Sequence, residues 1–210
     1  MSSIEDNATD DTDVSRAWED DNQAWWDWYV SLADNDGADA APLQELPPLP
    51  DVALPDDETL LEELSTPYAL DPDAPAFFRK NGFIKLKDVI SAGAQMRLRG
   101  ELVRLLSAAF DTKLDGGAAN RFLSLEMIWL DNPLVRAFVL SPRIAKISAD
   151  LLGVERVRLY HDNVLSKEPG CGRTPWHYDD HHFPLDTHDV VTPWIPAQPI
   201  PLAMGPLAFA

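Results

Sequence analysis

Hydrophobic and polar positions along this chain of 210 residues change texture three times. Residues 1–13 are almost wholly polar and predict disorder. From Asp13 to Asn35, Trp18, Trp25, Tyr29 and Leu32 recur at spacings of 7, 4 and 3, with Trp26 and Trp28 beside them, which predicts one stripe of a short amphipathic helix. Asp and Glu occupy the other face, and Asp13 or Ser15 supplies an N-cap. Such a helix either inserts its tryptophans into a partner or a neighbouring copy, or packs on its own domain; the second is the plainer expectation. Residues 41–57 carry Pro42, Pro47, Pro48, Pro50 and Pro55 and predict a stiffened linker, with a short acidic helix over Asp56–Leu64.

The packed part is expected to begin at Ala74. Ala76–Asn81 predicts a short helix stopped by Asn81-Gly82. Phe83–Val89 predicts a strand. Ser91 caps a helix running to Phe110, whose Leu98, Leu102, Leu105 and Ala109 form its apolar face. Two further helices are expected over Pro133–Leu140 and Pro142–Leu152, the second with Ser141 as N-cap, Pro142 at its first position and Gly153 past its end. After Gly153 the period becomes two: Val157, Leu159, His161, Asn163 and Leu165 alternate with Arg158, Tyr160, Asp162 and Val164, which predicts a strand. Helices first and strands afterwards predict an α+β domain whose β part is a sandwich or barrel.

Charge sharpens this division. Residues 1–75 hold 21 acidic residues and one basic residue, Arg16, a net of −20, whereas residues 76–210 hold 14 acidic and 16 basic, a net of +2. Three regions result: an acidic leader over 1–40 with the Trp-rich helix, a Pro-rich acidic linker over 41–75, and the domain over 76–210. So negative a leader repels phosphate backbones and argues against nucleic acid. No apolar run is long enough to span a bilayer, and the acidic N-terminus is unlike a secretory signal. Cys171 is the single cysteine, so an intramolecular disulfide framework is excluded, and a cytoplasmic protein is the expectation.

The densest chemistry is Trp176-His177-Tyr178-Asp179. In an extended strand positions i and i+2 share a face, so His177 and Asp179 would project together with Tyr178 turned away. An imidazole nitrogen and a carboxylate oxygen aimed at one point are two thirds of the 2-His-1-carboxylate arrangement that holds non-haem Fe(II) with open positions. As a bare tripeptide, His-x-Asp is more often a surface pair or a hydrogen-bonded couple.

Around it run Tyr160-His161-Asp162-Asn163-Val164-Leu165-Ser166-Lys167-Glu168-Pro169-Gly170, Thr174-Pro175-Trp176-His177-Tyr178-Asp179, Phe183-Pro184-Leu185-Asp186, Val191-Thr192-Pro193-Trp194-Ile195-Pro196 and Met204-Gly205-Pro206-Leu207, while Phe77-Phe78-Arg79-Lys80-Asn81-Gly82-Phe83 and Asp88-Val89-Ile90 open the domain. Blocks of this kind in this order resemble the phytanoyl-CoA dioxygenase family of Fe(II)/2-oxoglutarate oxygenases over roughly 76–210. The resemblance implies a double-stranded β-helix (a cupin-like jelly roll) with N-terminal helices packed on one sheet. It implies that His177 and Asp179 are iron ligands, that Lys167 contacts the co-substrate 2-oxoglutarate, and that Thr192 and Trp194 lie on a strand lining the co-substrate pocket. A solvated lysine beside a turn and a plain core tryptophan are the competing readings of Lys167 and Trp194. Relatives that transfer chloride have a small residue in place of the carboxylate, so Asp179 implies hydroxylation, or a related oxidation, of a small organic substrate by O2 rather than halogenation.

Asp180, His181 and His182 would sit at the pocket mouth, with His181 an alternative ligand, while His161 and His188 read as surface or core histidines. The family's third ligand, a histidine in a Pro-Gly-Ser-His turn, and a later arginine for 2-oxoglutarate are not found before Ala210, so a domain incomplete at its C-terminus is expected. Two other functional classes stay open: a non-catalytic scaffold docking through the Trp18–Leu32 segment, and a metal-dependent hydrolase using His177, Asp179 and His181.

Overall fold

The computed structural model describes residues 48–110, 122–168, 171, 174, 176, 177, 179 and 185–210. The expected Trp18–Leu32 helix lies outside them. Five α-helices are seen among the described residues: α1 (Asp57–Ser65), α2 (Ala74–Asn81), α3 (Ala92–Phe110), α4 (Pro133–Val139) and α5 (Pro142–Leu152). Two strands, β1 (Phe122–Glu126) and β2 (Asn163–Lys167), pair antiparallel with Phe122 opposite Lys167 and Glu126 opposite Asn163.

Several helix boundaries have a local cause. The Asp56 carboxylate accepts from the Thr59 amide at 2.8 Å, Asn132 caps α4 through the Val135 amide, and Ser141 caps α5 through the Ile144 amide. The Ser91 hydroxyl accepts from the Ala94 amide, as its position before α3 predicts. Gly82 and Gly153 end α2 and α5 with φ of 75° and 73°, a left-handed conformation that an L side chain rarely adopts.

Packing starts earlier than Ala74. Leu60 and Leu64 of α1 are each 1% exposed and join Ala94, Leu98, Val135 and Phe138 in the main core. Their spacing of four puts both on one helix face, which is why an acidic segment still contributes to the core. On α3 the buried row is Ala94, Leu98 and Leu106, with Leu102 against the same core; Ala109, expected on that face, is exposed. A second cluster joins Ala74 of α2 to Ile147 and Leu151 of α5, with Phe78, Ile84, Leu86 and Val89 packed against it.

Two strand expectations fail. Phe83–Val89 is not a strand: Ile84, Leu86 and Val89 are held by side-chain packing on the second cluster, without a ladder partner among the described residues. The strand expected from Val157 begins only at Asn163, opposite Glu126, where β1 supplies backbone partners; β1 itself is not signalled by strong alternation. The described residues show a two-stranded sheet, with α3 lying against β1, and not the double-stranded β-helix that the resemblance implies.

The segment leading into α1 is pinned to α3. Arg97 donates to the Pro55 carbonyl at 2.9 Å and pairs with Asp57, and a Cβ on Gly93 would come within 2.6 Å of the Ala53 carbonyl oxygen. Gln95 of α3 donates to the Pro196 carbonyl at 2.5 Å, and Ile195 packs against the main core, so α3 also fixes the stretch carrying Thr192 and Trp194. At the other end of the fold, Ser141 donates to the Leu64 carbonyl at 2.8 Å, and Arg143 donates to the carbonyls of Thr66 and Val89 at 2.7 and 2.8 Å.

Glu101 links α3 to the α4 cap. Its carboxylate accepts from Arg104 and from Asn132 Nδ2, and the Arg104 hydrogen bond, with that of Asn132, lowers its pKa to about 2 despite partial desolvation. A depressed folded-state pKa contributes stability above the ordinary glutamate value that is lost as the pH falls from about 4.5 to about 2. Because Arg104 is 61% exposed, screening limits the contribution to about 1 kcal/mol or less. Glu101→Gln is therefore expected to flatten that acid limb, measured as urea midpoints from pH 5 to pH 2; an unchanged limb would remove Glu101 from the acid response.

Candidate metal centre

His177 and Asp179 face one another. His177 Nε2 lies 3.5 Å from Asp179 Oδ1, and both side chains are close to half exposed, at 47% and 48%. Neither residue stands in a β-strand, so the juxtaposition expected from strand alternation arises from a different backbone course. The second carboxylate oxygen is held as well: Thr192 Oγ1 donates to Asp179 Oδ2 at 3.0 Å. Thr192 is in turn placed by the stretch that Ile195 and Pro196 anchor to the core and to α3. No spacing in the sequence signals this contact, since it joins positions on separate segments.

The donor set fits a divalent cation. Metal bonds of about 2.0–2.2 Å from imidazole nitrogen and carboxylate oxygen let one ion touch two donors standing 3.5 Å apart. One nitrogen and one anionic oxygen suit first-row metals of intermediate softness. The Thr192 hydroxyl ties down Oδ2 and leaves Oδ1 turned toward His177, the outer-shell support that fixes a liganding carboxylate. Among the described residues no third His, Cys, Asp or Glu joins the pair. Tyr178, Asp180, His181 and His182 lie outside the described residues.

Lys167 ends β2 with Nζ 5.6 Å from the centre of the Phe122 ring, its register partner. That is cation–π range, and the residue is at the same time exposed to solvent. Burial lowers its pKa below the ordinary lysine value, and nearby Cys171 opposes the shift. The Cys171 amide donates to the Glu168 carbonyl at 3.0 Å. Trp194 is 47% exposed, so it is not a core residue, and residues 191–196 carry no strand pairing among the described residues, against the implied pocket strand. Trp176 is 74% exposed beside His177. His161 is partly buried against the Tyr160 ring, whereas His188 is exposed. A shallow cleft on α5 lined by Lys146, Ala149, Arg156 and Val157 contains none of the candidate ligands.

No helix among the described residues is long and apolar enough to cross a membrane. A family model described as phytanoyl-CoA dioxygenase (PhyH) matches residues 78–210. No curated protein and no solved structure matches the chain.

Proposed function

The chain belongs to the phytanoyl-CoA dioxygenase family, and on that premise we propose that His177, Asp179 and Thr192 form part of a ferrous-iron centre for 2-oxoglutarate-dependent hydroxylation of a small organic substrate. The family is one of Fe(II)/2-oxoglutarate-type oxygenases with a cupin-like fold. The observation that carries the reading is the 3.5 Å approach of His177 Nε2 to Asp179 Oδ1 with Thr192 bound to the other oxygen. In this reading residues 76–210 belong to a double-stranded β-helix domain, 1–40 are its leader, and the linker over 41–75 includes α1, which packs into the domain's core.

When bound, ferrous iron supplies the O2 chemistry that couples decarboxylation of 2-oxoglutarate to oxidation of the substrate. This chain's side chains bind and orient. His177 offers a neutral imidazole nitrogen and Asp179 a carboxylate oxygen, so the pair carries one negative charge toward a divalent cation. Thr192 keeps the carboxylate from rotating. The Lys167 ammonium provides a cationic partner for a co-substrate carboxylate. Thr192 and the half-exposed Trp194 border the place where the co-substrate enters.

Release of succinate from 2-oxoglutarate by the protein, dependent on added Fe(II) and O2, tests the reaction class. Succinate formed at the same rate in chelator would exclude it. Thr192→Val is expected to weaken divalent-metal affinity about 10-fold, with Thr192→Ser restoring most of it, because the hydroxyl acts through Asp179. A Co(II) titration followed by its visible absorption reads this directly, and equal affinities for the three proteins would remove Thr192 from the centre.

A further inference from the structure

The stretch from Phe77 to Lys87 carries a surface of unusual make-up that has no partner among the described residues. Phe83 stacks on Phe209 with centroids 4.2 Å apart and planes within 6°, and Phe77 meets Phe83 edge-on at 6.2 Å. Three rings thus form one ledge, yet Phe77 is 48% exposed and Phe209 57%, with Leu207 beside it at 52%. A stack of aromatic rings normally removes far more of its area from water. The helix geometry explains why the ledge faces out: Phe78 turns into the second core cluster, which leaves Phe77 and Lys80 on the outer side of α2. Along the extended stretch that follows, Ile84 and Leu86 point inward to the same cluster, so Phe83 and Lys85 share the outer face.

The rim of the ledge is basic. Arg79, Lys80, Lys85 and Lys87 are all exposed, and no ion pair is seen for them among the described residues. An aromatic floor ringed by cations fits an acidic, aromatic-rich peptide. The same chain contains one: residues 13–35 hold Trp18, Trp25, Trp26, Trp28 and Tyr29 with six acidic residues and only Arg16 basic. Residues 36–47 join it to the described part, and about 12 residues of extended chain reach up to roughly 40 Å. That reach is on the scale of a domain of this size, and intramolecular attachment raises the effective concentration of the segment toward the millimolar range where the tether spans the sites.

We propose that residues 13–35 dock in cis on the Phe77–Phe83–Phe209 ledge, with tryptophan rings on the phenylalanines and Asp and Glu side chains on Arg79, Lys80, Lys85 and Lys87. The pairing matches both features of each surface, ring to ring and charge to charge. It assigns the Trp-rich segment a place on its own domain.

The full chain tests this when p-benzoylphenylalanine replaces Phe77 in one preparation and Lys85 in another, with adducts mapped by mass spectrometry after irradiation. The expected product is an intramolecular adduct to residues 13–35 from both positions. Its yield should drop severalfold between about 0.05 M and 0.5 M salt, as screening shortens the reach of the charges. Lys80→Glu with Lys85→Glu should lower the yield from position 77 at least about fivefold, and adding Asp20→Lys with Asp27→Lys should restore it, which a folding defect would not do. Adducts that join isotopically light and heavy copies would overturn docking in cis and make the ledge a contact between copies. Adducts insensitive to the charge reversals, an absence of adducts to 13–35 from both positions, or protection of position 77 only by anionic phosphatidylserine vesicles would each overturn the proposal.

Discussion

His177→Ala is expected to lower Fe(II) or Co(II) affinity by at least about 100-fold and to abolish Fe(II)-dependent succinate formation. Losing an outer-shell partner of a ligand costs 10–100-fold, and losing the imidazole donor itself costs more. The residue is 47% exposed and fills no core space, so the fold should survive the change unaltered. His188→Ala, at an exposed site outside the pair, serves as the control and should keep full affinity. Metal titration by visible absorption and far-UV dichroism on the same samples separate binding from folding. If His177→Ala binds metal as tightly as the parent, the centre proposed here does not exist.

Phe138→Ala is expected to cost about 3–5 kcal/mol of folding stability. Phe138 is 2% exposed and lies between Leu60 and Leu64 of α1 and the Ala94, Leu98 and Val135 face, so its removal leaves a void that three helices would have to close. Against a total stability of about 5–15 kcal/mol, that loss is large. Urea unfolding should show a lower midpoint at an unchanged slope. The same variant should weaken metal binding slightly, because Ile195 rests on this core and carries the neighbouring Trp194 and Thr192 with it. A loss below about 1 kcal/mol would show that Phe138 does not hold the helices together.

The helices were legible because their signals are local. Asp56, Asn132 and Ser141 sit at their caps, and Gly82 and Gly153 at their ends, within a few residues of the turns they govern. Strands are less readable, since a ladder needs partners from far along the chain. The alternation from Val157 looked like a strand throughout, yet pairing begins only where Asn163 meets Glu126. Phe83–Val89 packs Ile84, Leu86 and Val89 on the second cluster and gives its Lys87 and Val89 carbonyls to Tyr68 and Arg143, with no ladder among the described residues. At the candidate centre the spacing of His177 and Asp179 predicts nearness only on a strand, and neither residue stands in one. The Thr192 contact was not readable, because the bend that brings residues 191–196 to Asp179 is set by Ile195 in the core and Gln95 on α3.

The anchoring of α1 has a consequence for biosynthesis. Leu64 and Thr66 hand their carbonyls to Ser141 and Arg143, each pair separated by 77 positions. At about 5–20 residues per second, a translating ribosome needs roughly 4–15 s to deliver those partners. Through that interval the nascent helix keeps Leu60 and Leu64 available to water or to a holdase chaperone, and slowing elongation within 67–140 should lengthen its dependence on such help.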